Sequence, residues 1–314
     1  MVKIYKTNII TGKLEITNRL EKGCLIDLIA PTDNEINDIC IELSIPEQLI
    51  RYPLDISEKA HIDSEYDNTL IVIDVPYTET TDNKRIYTTI PFGMIVVRNE
   101  YFITVSQKNV NIMDEVLSNL KRNIIETEKR TKLIFQVLYK VAEEYIKHIG
   151  YISRDIEMFE KNMHKTMKNR ELIHMLDFEK SMIYYNASLK ANQVVLQKLL
   201  RGKIVRIYEE DEEILDDTMI ENKQAIEMVQ TYSEILNGIV SIFGTIVSNN
   251  VNSVMKFLTA VTIIISIPTM IAGIFGMNLN FPFEPSSANF YIIIAASIIL
   301  SFLAWVAMKN KNMM

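Results

Sequence analysis

The stretch KFLTAVTIIISIPTMIAGIFGMN, residues 256–278, decides how the chain is read. Its apolar run from Phe257 to Phe275 is long enough to cross a membrane, since a hydrocarbon core of ~30 Å needs roughly 20 helical residues. The hydroxyl-bearing residues of that run all fall on one register: Thr259, Thr262, Ser266 and Thr269, followed by Gly273 and Gly276. Carried backwards, the same register picks out Glu227, Thr231, Glu234, Gly238, Ser241, Thr245, Ser248, Asn252 and Met255. Met255 alone interrupts the file with a large apolar side chain. A repeat of about 3.5 residues marks helices that supercoil around a shared axis, but in an ordinary coiled coil those positions are apolar. Here they are polar, and Ile235, Leu236, Ile239, Val240, Ile242, Phe243, Ile246 and Val247 beside them are expected to pack each helix against its copies. Small residues in membrane helices also serve close packing, and their hydroxyls can bond their own helix. The continuation of the file ahead of Phe257 favours a wet lumen instead, and because one helix cannot enclose a lumen, several chains must.

A second span, Phe290 to Met308, follows after a short connection from Gly276 to Asn289. That connection carries Glu284 and no Lys or Arg, whereas Lys256 precedes the first span and Lys309 and Lys311 follow the second. The positive-inside rule then places both termini in the cytoplasm and the loop outside. Tyr291 and Trp305 sit near the ends of the second span, as interfacial aromatics do. The start, MVKIYKTNII, has no apolar signal-peptide core, so insertion is expected to depend on the C-terminal hairpin. Residues number 314, enough for about two domains. The net charge of −7 argues against a nucleic-acid partner. Cys24 and Cys40 both fall in the part expected to be cytoplasmic and read as reduced core residues.

Residues 1–110 read as an α/β domain. Leu70 to Val75, Met94 to Val97 and Tyr101 to Val105 are β-like, and Pro31-Thr32-Asp33 precedes a capped helix over Glu35 to Leu43. Pro46 opens another helix, and the strand order stays open. Residues 111–250 read as long helices: Asn111 to about Lys121, Glu126 to about Lys168, Arg170 to about Tyr208, and a last one from the acidic cluster Glu209 to Asp217 into the membrane. At ~1.5 Å per residue that last helix would be roughly 90 Å long. The acidic cluster reads as solvated charge at a helix N-terminus, where the macrodipole favours it, with loose cation concentration as a secondary role. His61, His148, His164 and His174 show no two at a spacing of three or four. No phosphate-binding loop or nucleophile elbow occurs, so nothing points to an enzyme or an organic cofactor.

The first span closes with Gly276-Met277-Asn278. That triplet, together with Asn252-Ser253-Val254-Met255-Lys256 and Pro268 through Phe275, resembles the CorA family of magnesium transporters, whose signature is a Gly-Met-Asn at the end of the first of two C-terminal spans. The resemblance covers the whole architecture: cytoplasmic α/β domain (1–110), helices including the stalk (111–250), pore-lining span (251–278), external loop (279–289), second span (290–308) and a basic tail (309–314). It implies a funnel-shaped homopentamer in the cell membrane, an α+β membrane protein that passes Mg²⁺, with Co²⁺ or Ni²⁺ as further cargo. Gly276, Met277 and Asn278 would form the selectivity ring, with Asn278 meeting hydrated Mg²⁺ at the outer mouth. Asn252, Met255, Leu258, Thr259, Thr262, Ser266, Thr269 and Gly273 would line the pore, Met255 and Leu258 forming an apolar gate. Glu284 matches an acid of the family's outer loop. The resemblance also implies cytoplasmic Mg²⁺ as a regulatory ion, but where the family places acids at that stalk height this chain has Ser241, so the regulatory carboxylates are unassigned. The loop Leu279 to Pro285 also lacks the fuller Met-Pro-Glu-Leu pattern. Two alternatives stand beside this reading: a zinc-preferring relative of the ZntB type, and a membrane-anchored oligomer that does not conduct.

Overall fold

Alternating and continuous apolar runs resolve into a seven-stranded sheet in the computed structural model, which describes residues 1–8, 11–65, 67–81, 84–122, 126–162, 169–201, 204–277 and 287–311. The chain forms two compact units, Met1–Gly238 and Ile239–Met314. In the first, strands β1 (Val2–Thr7), β2 (Leu14–Thr17), β3 (Leu25–Ile29), β4 (His61–Glu65), β5 (Asn68–Thr81), β6 (Lys84–Val97) and β7 (Tyr101–Ser106) lie in the order β2-β1-β3-β7-β6-β5-β4. Only β3 and β7 pair in parallel among these; the other pairings are antiparallel. Helices α1 (Asp33–Leu43) and α2 (Glu47–Arg51) sit between β3 and β4 in sequence.

Successive side chains of a strand point to opposite faces. Ile26, Leu28, Leu70, Val72, Ile95, Val97, Ile103 and Val105 form one core with Ile36, Ile39 and Leu43 of α1 and Leu49 and Ile50 of α2. The residues between them, including Ile71, Ile73, Phe92 and Met94, are equally buried on the other face. There, α4 (Arg130–Asn162) and α5 (Asn169–Leu200) pack on β5 and β6, and α3 (Asn111–Lys121) packs on α4. Burial on both faces explains why Leu70–Ile73 and Met94–Val97 read as unbroken apolar runs. α1 is capped as expected but starts at Asp33, two residues before the expected Glu35, because Thr32 is its cap: Glu35 N–H donates to Thr32 Oγ1 and Thr32 N–H donates to Glu35 Oε2. Gly93 is needed where β6 passes under the turn at Pro53: a Cβ there would lie 2.2 Å from the proline Cγ.

The strands β5 and β6 run well beyond the expected 70–75 and 94–97, because their polar outer halves pair in register, Asn68 with Val97 through Thr81 with Lys84. Pro76 and Pro91 lie inside this hairpin. Asp74 lies two residues past Val72, the last β5 residue paired to β4. Its backbone edge is closed by a side chain: Asp74 N–H donates to Asn192 Oδ1 at 2.9 Å, and Asn192 Nδ2 donates back to Asp74 O at 2.7 Å. Tyr145 OH donates to the same carbonyl at 3.1 Å. A buried backbone edge must find partners, and here two helices supply them.

α3 occupies the expected residues. α4 begins at Arg130 rather than Glu126, since Thr127 is held to β1 by reciprocal bonds: Thr7 N–H donates to Thr127 Oγ1 at 3.0 Å, and Thr127 N–H donates to Thr7 Oγ1 at 3.1 Å. It is assigned through Asn162, and the expected end at Lys168 lies outside the described residues. α5 ends at Leu200 rather than Tyr208, just before Gly202 in the sequence. The long helix α6 runs from Glu209 to Phe275, and α7 from Ser287 to Asn310. Both hold a stretch long and apolar enough to cross a membrane. Cys24 is buried, Cys40 half-buried, and neither is in a disulfide.

Candidate functional site

The residues of the polar file share one face of α6, and every one of them is exposed in the single chain. This holds for Glu227, Thr231, Glu234 and Gly238 of the first unit and for Ser241 through Gly276 of the second. The covered side of α6 in the second unit is different. Ala260 is buried, and Ile264, Ile267 and Ile271 are half-buried. α7 lies over that side, where Ser301 Oγ donates to Ile264 O at 3.4 Å. Its own half-buried residues include Ile293, Ser297, Ser301 and Ala304. At about 100° per residue, Thr262, Ser266 and Thr269 lie roughly half a turn away from the Ala260–Ile271 face. The second helix therefore covers the apolar back of α6 and leaves its polar front open. Of the flanking apolar set, Leu236 and Ile239 are already buried within the chain, a correction to their expected role between copies, whereas Ile235, Ile242 and Val247 remain exposed.

The hydroxyls of the file are oriented by their own helix. Thr259 Oγ1 donates to Met255 O at 2.8 Å, Thr262 Oγ1 to Leu258 O at 2.8 Å, Ser266 Oγ to Ile263 O at 2.9 Å and Thr269 Oγ1 to Ile265 O at 3.0 Å. Thr231 and Thr245 do the same toward Glu227 O and Ser241 O. Each proton is thus used inward, and what remains outward is oxygen lone pairs. Such a row accepts hydrogen bonds from water or faces a cation directly, and it carries no formal charge. Thr262, Ser266 and Thr269 line an open groove on α6 with Leu258, Val261, Ile265 and Met270. Met255 and Leu258 are over half exposed, at 54% and 56%.

At the far end, α6 closes with Gly276 N–H donating to Ala272 O at 2.8 Å and Met277 N–H to Ile274 O at 3.3 Å. A Cβ at Gly276 would stand 3.0 Å from Ala272 O. Asn278 and Glu284 lie outside the described residues. The acidic cluster does open a helix, as expected, but Asp211 in it is buried, a correction to the reading of the whole run as solvated. Among the described residues of one chain, no three His, Cys, Asp or Glu side chains gather as a metal site.

One feature of the site was missed in the sequence. Pro268 lies inside α6 and has no N–H for the carbonyl four residues earlier, that of Ile264. That is the carbonyl to which Ser301 donates. In hydrocarbon every backbone polar group needs an internal partner, so a proline in the first span calls for a donor on the second.

Residues 21–310 match the sequence profile of the CorA-like Mg²⁺ transporter proteins. The chain is 25% identical to the cobalt/magnesium transport protein CorA of Methanocaldococcus jannaschii over 279 residues, 88% of this chain and 86% of that one. The solved structure of the M. jannaschii CorA magnesium transporter superposes with a TM-score of 0.82 at 23% identity, covering 97% of this chain and 96% of that one. The cytoplasmic domain of ZntB from Vibrio parahaemolyticus shares the fold at a TM-score of 0.60 and 9% identity, over 79% of this chain and 96% of that one. With an N-terminal α/β unit, a long helix, two apolar helices and a family match spanning nearly its whole length, this chain belongs to the CorA-like Mg²⁺ transporter family.

Proposed function

We propose that the protein is a passive channel carrying Mg²⁺ into the cytoplasm, built as a homopentamer around the polar face of α6. The observation that carries this reading is the uncovered file from Asn252 to Gly276, which α7 leaves open on the side away from itself. Residues 251–278 and 290–308 would occupy the bilayer, with both termini cytoplasmic, in keeping with Lys256, Lys309 and Lys311 flanking the spans. The relative from M. jannaschii is named for both cobalt and magnesium, which supports divalent cargo here.

Mg²⁺ gives up water reluctantly and prefers oxygen in octahedral array. A ring of Asn278 amides with the backbone of Gly276 and Met277 would hold the hydrated ion at the outer mouth without stripping it. Below that ring, Thr269, Ser266, Thr262 and Thr259 offer neutral oxygens to the hydration shell, favourable enough to admit an ion and weak enough to release it. Met255 and Leu258 would form an apolar constriction that gates by dewetting. The membrane potential contributes about 2.3 kcal/mol per charge per 100 mV, hence about twice that for an inward divalent ion, and no nucleotide is needed. Cytoplasmic Mg²⁺ held by carboxylates of neighbouring subunits would stabilise the closed state.

The test is Mg²⁺ uptake into liposomes holding the purified protein. Asn278→Ala, and separately Ser266→Leu with Thr269→Leu, are expected to lower flux at least about tenfold while the oligomer keeps its size. Undiminished flux in the double leucine variant would show that the file does not face the conducting path, whereas no flux above protein-free vesicles from the unaltered protein would leave the non-conducting oligomer standing. Zn²⁺ uptake outpacing Mg²⁺ in the same vesicles would overturn the choice of cargo.

A further inference from the structure

Glu144 and His148 stand one turn apart on the same face of α4, and their side chains are only 13% and 12% exposed. Together with Thr78, Asn109 and Asn111 they line a cleft of about 260 Å³ in the first unit, between β5, the segment entering α3, and α4. Each of the two side chains is held by a neighbour from the side away from the other. Glu144 Oε1 is paired to Lys147 Nζ at 2.6 Å, and Lys147 is tied in turn to Glu115 at 3.4 Å. His148 Nδ1 is hydrogen-bonded to the Tyr185 hydroxyl at 2.9 Å. Glu144 Oε2 and His148 Nε2 are thereby left facing each other at 3.8 Å.

That separation is too long for a hydrogen bond. It is close to what one metal ion would set: with metal–nitrogen and metal–oxygen bonds of about 2.1 Å, two adjacent ligands stand roughly 3.0–3.7 Å apart. The outer bonds to Lys147 and Tyr185 are those that fix a carboxylate and an imidazole as ligands. We propose that Glu144 and His148 hold one divalent transition-metal ion, of the Co²⁺, Ni²⁺ or Zn²⁺ class, with water and the amide or hydroxyl oxygens of the cleft completing its shell. An imidazole nitrogen suits those ions, whereas Mg²⁺ demands an all-oxygen octahedron, so the site discriminates against the proposed cargo of the polar file.

The experiment is a Co²⁺ titration of the full-length protein in detergent, followed by calorimetry and visible d–d absorption, with Mg²⁺ in large excess to fill oxygen-only sites. One Co²⁺ per chain is expected to persist, and both His148→Ala and Glu144→Gln are expected to weaken it at least about tenfold. His61→Ala, at a histidine bonded to Lys59 O on the surface, is expected to leave the titration unchanged. If His148→Ala fails to fold by circular dichroism, Glu144→Gln decides, since glutamine keeps the side-chain volume. Unchanged Co²⁺ affinity in the folded variants, or loss of all bound Co²⁺ to excess Mg²⁺, overturns the assignment.

Discussion

Polar side chains in the sheet unit and on the polar face of α6 do opposite things with similar chemistry. In the sheet unit they tie distant parts of the chain together: Thr127 to Thr7, Thr104 to Asp27, Asn192 to Asp74, Ser188 to Thr89. On α6, the hydroxyls of Thr231, Thr245, Thr259, Thr262, Ser266 and Thr269 bond their own helix one turn back. A polar group that fastens two elements is buried because exposure would cost the fold. One that bonds its own helix adds little to folding and is free to be kept for something outside the chain.

The comparison breaks most visibly at Asn192. Asn192→Leu removes both bonds that close the Asp74 edge, although Tyr145 still serves the carbonyl. The orphaned Asp74 N–H should cost about 1–3 kcal/mol in denaturant unfolding of the first unit. A loss below about 0.5 kcal/mol would mean that water replaces the amide and the edge is not closed by the helix.

Asp27 sharpens the same comparison through pH. Burial raises its carboxyl above the usual range, and the bond from Thr104 Oγ1 and the charges of Lys3 and the amino terminus offset this only in part, with Asp114 adding to the rise. A folded pKa above the unfolded one gives a contribution that is full below the unfolded value of about 3.9 and lost as pH rises through the folded value. Asp27→Asn should therefore raise the melting temperature at pH 7, by a few degrees, and the gain should vanish in acid. An equal gain at every pH would assign the effect to packing instead.

The smallest expected effect is at Thr262. Thr262→Val keeps the shape and loses only the bond to Leu258 O, so melting should change by less than about 0.5 kcal/mol. A larger destabilisation would place that hydroxyl in a contact between subunits rather than on a wet face.

Local pattern made the polar file, both spans, α3 and the capping of α1 legible, because each depends on residues near in sequence. The sheet order was not, since the parallel pairing of Leu25–Ile29 with Phe102–Ser106 joins segments far apart. The ends of β5 and β6 were hidden by polar residues that only their mutual register turns into strand. Thr127 held back the start of α4 through a partner in β1 that no local rule names. Glu144 and His148 escaped notice because histidines were compared only with one another, although a carboxylate and an imidazole at a spacing of four share a helix face equally well. The partnership of Pro268 with Ser301 needed two helices at once.

That last partnership bears on how the protein reaches its membrane. A single helix carrying Pro268 would enter lipid with the Ile264 carbonyl bare, whereas the hairpin brings its own donor in Ser301. The unit that partitions is then the pair, so a truncated chain ending before the second helix should be retained by the insertion machinery or discarded, however apolar its remaining helix.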